Sequence, residues 1–329
     1  MSIRSNISKG AGLFVALFSL AVGVGWSLFD AHRTDDNDSA EQVPTSVQQS
    51  SEDLYEDNSS VQQQSSSTSQ QSSDDLHSDI STASSADDAS TTEVAENIDA
   101  AYEEPVMQSK NVPSQILRRM AYTTSYNSKT RNPNWVGWVL TSEHADGEVG
   151  RSGQLFIEDE DVPEPRATYR DIREGECGYQ RGHMCPAADN KWSYKAMKEA
   201  FLMTNICPQN GDLNQNDWES LEGACRGWAR KYGKVYIVAG PIFNSKKYKT
   251  VGEHEVAVPD AFFKVVLTFD PGSPKAIGFL YDNQSGHHKM DYYARTVDEV
   301  EKATGMDFFS QLSDGVEVAI ESKCNLDEW

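Results

Sequence analysis

An α+β fold is predicted for residues 111–329, and three observations predict it. Runs of strand length rich in Val, Ile, Tyr, Trp and Phe occur in "AYTTSYNSKTRNPNWVGWVLT" (121–141), "KVYIVAGPIF" (234–243), "AFFKVVLTF" (261–269) and "KAIGFLY" (275–281). Between and after them stand segments with helical period or helix caps: "SYKAMKEAFLMT" (193–204), "LNQNDWESLEGACRGWARKYG" (213–233) and "TVDEVEKATG" (296–305). All tryptophans except Trp26 and all five cysteines lie in this part, so only it can build a core. Strands gathered around a few helices make an α+β domain.

Taken in order, the chain opens with a charged stub, Arg4 and Lys9, followed by "GAGLFVALFSLAVGVGWSLF", twenty uncharged residues (10–29). About 20 apolar residues are what a helix needs to cross the hydrocarbon of a bilayer. Basic residues before it and Asp30, Asp35, Asp36 and Asp38 after it put the N-terminus in the cytoplasm and the rest outside. Residues 1–34 are therefore read as a cytoplasmic stub and transmembrane anchor. The rest is expected to be periplasmic or at the cell surface, or secreted if the segment is cleaved. "SLFDAH" is a poor small-x-small cleavage site, which favours an anchor over a signal peptide.

Residues 35–110 are runs of Ser, Gln, Thr and Asp that bury too little apolar area to offset chain entropy, and are expected to be a disordered linker. They also hold most of the charge. The chain carries −22, of which residues 1–110 account for −15, leaving −7 on the domain. Within 121–141 two strands are expected around a polar turn ending at Pro133. The last helix opens on a Thr cap with Glu three residues later and closes on Gly305. Five cysteines outside the cytoplasm are expected to be structural thiols or to form one or two disulfides, and Cys177 and Cys185 lack zinc-ligand spacing.

The stretch "CGYQRGHMCPAADN" (177–190) places His183 two residues after Arg181. Alone this is weak, because a solitary histidine is more often an ordinary core or surface residue. The helix downstream changes its weight. Asn214, Trp218, Glu222 and Arg226 recur at i, i+4, one helical face, beside an apolar stripe of Trp218, Leu221, Cys225 and Trp228. A plain structural reading buries Trp218, makes Asn214 a cap and pairs Glu222 with Arg226. A sharper one uses geometry: Asn214 and Glu222 stand about 12 Å apart along the axis, and Glu222 leans back toward Asn214. That gap suits a hydrated Mg²⁺, which keeps several waters and needs few protein oxygens; zinc or calcium would want more protein ligands. His183, ordinarily titrating near 6.5, can take a proton from water, and Arg181 offers charge to a crowded phosphate. The short run is expected to sit on the first strand pair.

"GYQRGHMCPAADN", then "LMTNICPQNGDLNQNDWESLE", then "VYIVAGPIF" resemble the DNA/RNA non-specific endonuclease family, the Serratia-type and endonuclease G-like branch of the ββα-metal (His-Me finger) nucleases. The similarity spans roughly residues 115–325. It implies a central, mostly antiparallel sheet flanked by helices and cleavage of DNA and RNA to 5′-phosphate and 3′-hydroxyl ends. It implies His183 as general base, Asn214 as the direct ligand of Mg²⁺, Glu222 binding through water and Arg181 stabilising the transition state. Asn205 would support the site, Arg226 would contact phosphate, and Arg151 is the nearest match for an upstream substrate-binding arginine. Other divalent cations such as Mn²⁺ meet the same requirement. The family usually carries Asp where this chain has Gln180, and a glutamine cannot orient Arg181 through charge. That departure and the acidic balance motivate an alternative: a catalytically weakened nuclease fold acting as a nucleic-acid-binding module. Lys246, Lys247 and Lys249 are a candidate basic patch.

Overall fold

Seven strands pair antiparallel into one sheet, in the spatial order Ala294–Arg295, Ser273–Asp282, Ala261–Asp270, Lys234–Ile242, Asn132–Thr141, Thr123–Asn127 and Gln115–Arg118. The structure is a computed structural model and describes residues 96–97, 100–173, 175–244, 247–270 and 273–329. The expected span at 10–29 and nearly all of the expected linker lie outside these residues. Among the described residues no helix is long and apolar enough to cross a membrane.

Alternation along the strands supplies two cores, one on each face. In Ala261–Asp270, Phe263, Val265 and Leu267 face one side, while Phe262 and Val266 face the other. The first face is covered by Val297 and Val300 from the helix Val297–Thr304, by Phe308 and Phe309, and by Ile320 from the helix Asp314–Glu321. The second face receives Leu221, Cys225 and Trp228 from a long helix, together with Met184, Cys185 and Cys207 around a separate short hairpin. Each large apolar side chain so buried contributes about 1.5–3 kcal/mol.

The expected elements are present, with informative differences. Pro133 lies inside the strand Asn132–Thr141 and not in the turn before it. The Thr296/Glu299 capping box and a left-handed Gly305 bound the helix Val297–Thr304 as expected. Part of the segment expected to be linker is folded: Tyr102 is buried against Tyr236, and Val106–Met107 pairs with Met306–Asp307. All five cysteines are free thiols, three of them buried, which selects structural thiols over disulfides from the two alternatives expected. Their burial in apolar surroundings accounts for them as small hydrophobes.

The helix expected over 213–233 is not uniform. Asn210 caps it, accepting from the backbone N–H of Asp212 and Leu213, which corrects the reading of Asn214 as the cap. A first turn Gly211–Leu213 passes into a π-turn over Asn214–Trp218, then into α-helix from Glu219 to Tyr232, ending at Gly233. The wider π-turn breaks the strict four-residue step. Trp218 is turned into the core, so the four residues read as one face do not share it.

Candidate active site

The hairpin that carries the site is too short to show a period in sequence. Gln180–His183 pairs with Ile206–Gln209, Gly182 standing opposite Cys207. This pair is separate from the seven-stranded sheet, which corrects the expectation that His183 and Arg181 sit on the first strand pair. Gly182 is required by close approach: a Cβ there would lie 2.0 Å from Oε1 of Gln209 and 2.7 Å from its Cβ. Asn205 then fixes the chain just past His183. Its Oδ1 accepts from the N–H of Cys185 at 2.9 Å, and its Nδ2 donates to the carbonyls of Cys185 (2.9 Å) and Ala200 (2.8 Å). Asn205 is wholly buried and does not line the cleft; it acts on backbone.

Between this hairpin and the long helix lies a cleft of about 570 Å³. Six of the seven residues singled out in sequence line it: Arg151, Arg181, His183, Asn214, Glu222 and Arg226. The helix docks on the strand directly, through the Trp218 indole N–H donating to the carbonyl of His183 at 3.2 Å.

The imidazole of His183 packs edge-on against Phe201, centroids 5.0 Å apart, and beside Phe156 at 5.4 Å. Its Nε2 has no hydrogen-bond partner. Burial, and then the charges of Arg151 and Arg181, pull its pKa from 6.5 down to about 3, so the ring is neutral at physiological pH. Arg181 is held over the Phe156 ring at 4.6 Å and donates to the carbonyl of Tyr169 at 3.2 Å. Arg151 reaches over Phe201 at the mouth of the cleft.

Across the cleft, Nδ2 of Asn214 donates to Oε1 of Gln180 at 2.9 Å. Gln180 therefore orients an amide. With the nitrogen taken, the remaining donor atom of Asn214 is its carbonyl oxygen, the half that a hard cation binds. Burial raises the Glu222 carboxyl to about 7, offset in part by Lys264. A desolvated carboxylate and a pre-oriented amide oxygen are the donor set of a hydrated divalent cation.

The expected Glu222–Arg226 pair does not form. Arg226 donates instead to Oδ1 of Asp189 at 3.0 Å, while Trp138 donates its indole N–H to Oδ2 at 3.1 Å. Asp189 is 3% exposed and was not anticipated; its place in "PAADN" carries no signal that it reaches a helix 37 residues away. Removing one partner of such a buried pair is costly. Asp189→Ala is expected to lose about 3 kcal/mol in urea unfolding, the low end of the range because water reaches Arg226 through the cleft. An unchanged midpoint would show that the pair does not hold Arg226.

Lys264 is the other residue that sequence reasoning passed over. It stands on the cleft-facing side of its strand, between Phe262 and Val266, and is fully buried. Its ammonium lies 4.4 Å from the ring of Trp218 and 5.4 Å from that of Trp138. No hydrogen-bond partner reaches Nζ. Aromatic faces stabilise this buried cation beneath Glu222 and Asp189. Lys191 joins Arg151, Arg181 and Arg226 in the lining, so four cations face two carboxylates, Glu219 and Glu222. The cleft is thus positive although the domain is acidic. Of the candidate patch, Lys246 lies outside the described residues and Lys249 stacks on Tyr179; neither Lys247 nor Lys249 lines the cleft.

Comparison with known proteins gives concordant matches. The family pattern described as DNA/RNA non-specific endonuclease matches residues 103–315. The mitochondrial nuclease 1 of Schizosaccharomyces pombe is 35% identical over 213 residues, 59% of this chain and 66% of that protein. Bovine mitochondrial endonuclease G is 34% identical over 212 residues, 60% of this chain and 70% of that one. Among solved structures, a chain of the EndoG/EndoGI complex, a study of EndoG inhibition, aligns with a TM-score of 0.58 at 28% identity. It covers 62% of this chain and 90% of that chain.

Proposed function

This chain belongs to the DNA/RNA non-specific endonuclease family and is a nuclease, a divalent-cation-dependent hydrolase of phosphodiester bonds; from that premise we propose that it cuts DNA and RNA with His183 as general base and Asn214 holding Mg²⁺. The observation that carries this reading is the shared cleft. A neutral imidazole and an amide whose nitrogen is held by Gln180 line one cavity together with four cations.

Each residue has a role its surroundings suit. His183 accepts a proton from the attacking water, because the ring is neutral and lines the cleft, while its Nε2 is turned inward away from solvent. Phe201 and Phe156 fix the ring plane and keep bulk water off it. Arg181 is pre-oriented by Phe156 and the Tyr169 carbonyl, so little freedom is lost when it meets the phosphate oxygens. Arg226, braced by Asp189, takes a second phosphate oxygen or its neighbour. Arg151, exposed at the rim, binds incoming backbone. Asn214 would hold the cation directly and Glu222 through water. When bound, Mg²⁺ supplies positive charge to the phosphate and the leaving oxygen. Contacts confined to phosphate and sugar read no base, which gives broad substrate choice.

A plasmid-nicking assay tests the reading. Purified protein is expected to convert supercoiled DNA to nicked and linear forms with Mg²⁺ and to stop on addition of EDTA. It should degrade single-stranded RNA under the same conditions. Tight DNA binding without metal-dependent cleavage would favour the weakened, binding-only alternative.

Placement belongs to the same proposal. Residues 10–29 anchor the enzyme in a membrane with the nuclease domain outside the cytoplasm. The full chain is expected to stay in the membrane pellet after carbonate extraction and to be accessible to protease added from outside. Release into the soluble fraction by carbonate would refute the anchor.

A further inference from the structure

On the face of the sheet away from the cleft, the helices Val297–Thr304 and Asp314–Glu321 bring three carboxylates together. One oxygen each from Asp298, Glu301 and Glu321 lies within 4.8 Å of the others. Asp298 is exposed, Glu301 is half-buried, and Glu321 is only 4% exposed with Oε1 lacking any hydrogen-bond partner. Glu301 Oε1 accepts from the backbone N–H of Phe308 at 2.8 Å, which fixes that side chain in place. Among the described residues no lysine or arginine pairs with any of the three. Asp307 and Glu317 add more negative charge beside them.

A buried carboxylate without donor or counter-charge is held either by a proton or by a cation. The three oxygens are clustered, and Oε1 of the buried Glu321 has no hydrogen-bond partner, so the group as it stands lacks a positive partner. The donors are all hard oxygens, which fits Ca²⁺ or Mg²⁺ and not zinc or copper. The irregular all-carboxylate set favours calcium, which takes its oxygens at about 2.3–2.6 Å and accepts irregular and bidentate carboxylates. Magnesium demands a tighter octahedron at about 2.1 Å and keeps its water. The open side at Asp298 admits both the ion and completing waters.

We propose that Asp298, Glu301 and Glu321 bind a calcium-class cation that ties the two C-terminal helices together, apart from the catalytic cleft. With three side chains supplying ligands, the affinity falls in the weak class of extracellular calcium modules, Kd about 10⁻⁴–10⁻³ M. Because Glu321 ends one helix and Asp298 begins the other, the ion would brace the elements that cover Phe263 and Phe308.

The test is thermal unfolding of EDTA-treated, dialysed full-length protein titrated with CaCl₂ at pH 7.5. Asn214→Ala is included so that the catalytic metal cannot account for any shift. Calcium at 100-fold its Kd is expected to raise Tm by about 5–10 °C in wild type and in Asn214→Ala alike. Glu321→Gln should lose the calcium-dependent rise while being at least as stable as wild type without metal. If Glu321→Gln does not fold, the exposed Asp298→Asn is used, with an expected loss of about tenfold in calcium affinity. An equal calcium shift in the Glu321 or Asp298 variant overturns the proposal. So does a wild-type Tm unmoved by calcium but raised on acidification to pH 5, which would mean shared protons. The readout is stability, so it is independent of whether the cleft cuts nucleic acid.

Discussion

Replacing His183 by alanine is expected to slow phosphodiester cleavage by about 1,000-fold, or about 4 kcal/mol of transition-state stabilisation, with folding intact. The size follows from the absence of a substitute. Phe156 and Phe201 wall the ring, and the nearest ionisable neighbours on that side, Arg151 and Arg181, are permanent cations that cannot accept a proton. The alanine leaves a ring-sized space open to the cleft, so added imidazole should restore part of the rate. The residual activity should still need metal, since the opposite wall is untouched. Cleavage by His183→Ala at the wild-type rate would remove His183 as the base. The same substitution has a stability signature of fixed sign. In the unfolded chain the imidazole takes a proton below about 6.5, whereas the folded ring resists until about 3. Acid therefore favours unfolding between those values. The variant should lose that part of the slope of stability against pH between 6.5 and 4.

What the sequence could and could not disclose follows from the range of each interaction. The strand Ala261–Asp270 and the helix Val297–Thr304 are legible because alternation, a capping box and a C-terminal glycine are local signals. The residues of the cleft are legible because His183, Asn214 and Glu222 have chemistry that few other arrangements explain. Illegible were the contacts that reach across the fold. Asp189 looks like any acidic residue in a loop until Arg226 and Trp138 meet it. Lys264 interrupts an apolar run and reads as a surface position; only the sheet, buried on both faces, forces it between two tryptophans. The π-turn at Asn214–Trp218 has no propensity signature, yet it sends Trp218 inward and leaves Asn214 at the cleft. A strict i, i+4 reading selected the right residues with the wrong rotation. The sequence left the cysteines open between structural thiols and disulfides because pairing depends on distances across the fold, and the fold uses Cys185, Cys207 and Cys225 as apolar filling.

Gln180 gives that cleft its individual character, and Asn214 is where its effect should be measured. Asn214→Ala is expected to abolish Mg²⁺-supported cleavage at millimolar metal, because it deletes the direct protein ligand in the proposed site. Isothermal titration should show metal binding weakened by well over tenfold. Gln180→Ala tests the orientation argument on the same axis. It leaves every proposed ligand in place but frees the amide of Asn214 to rotate, since the bond from Nδ2 to Oε1 is lost. Partners that orient a ligand typically contribute 10–100-fold in metal affinity. Gln180→Ala should therefore raise the Mg²⁺ concentration for half-maximal cleavage by that factor and recover most of its rate at saturating metal, whereas Asn214→Ala should not recover. Gln180→Asp keeps an acceptor for Asn214 on a side chain one methylene shorter and adds a negative charge beside the cation. If charge rather than orientation is what the position supplies, this variant should bind Mg²⁺ more tightly than wild type. If orientation dominates, it should fall between wild type and Gln180→Ala. An Asn214→Ala protein with a wild-type metal titration would place the cation elsewhere in the cleft and leave Gln180 holding an amide of no catalytic consequence.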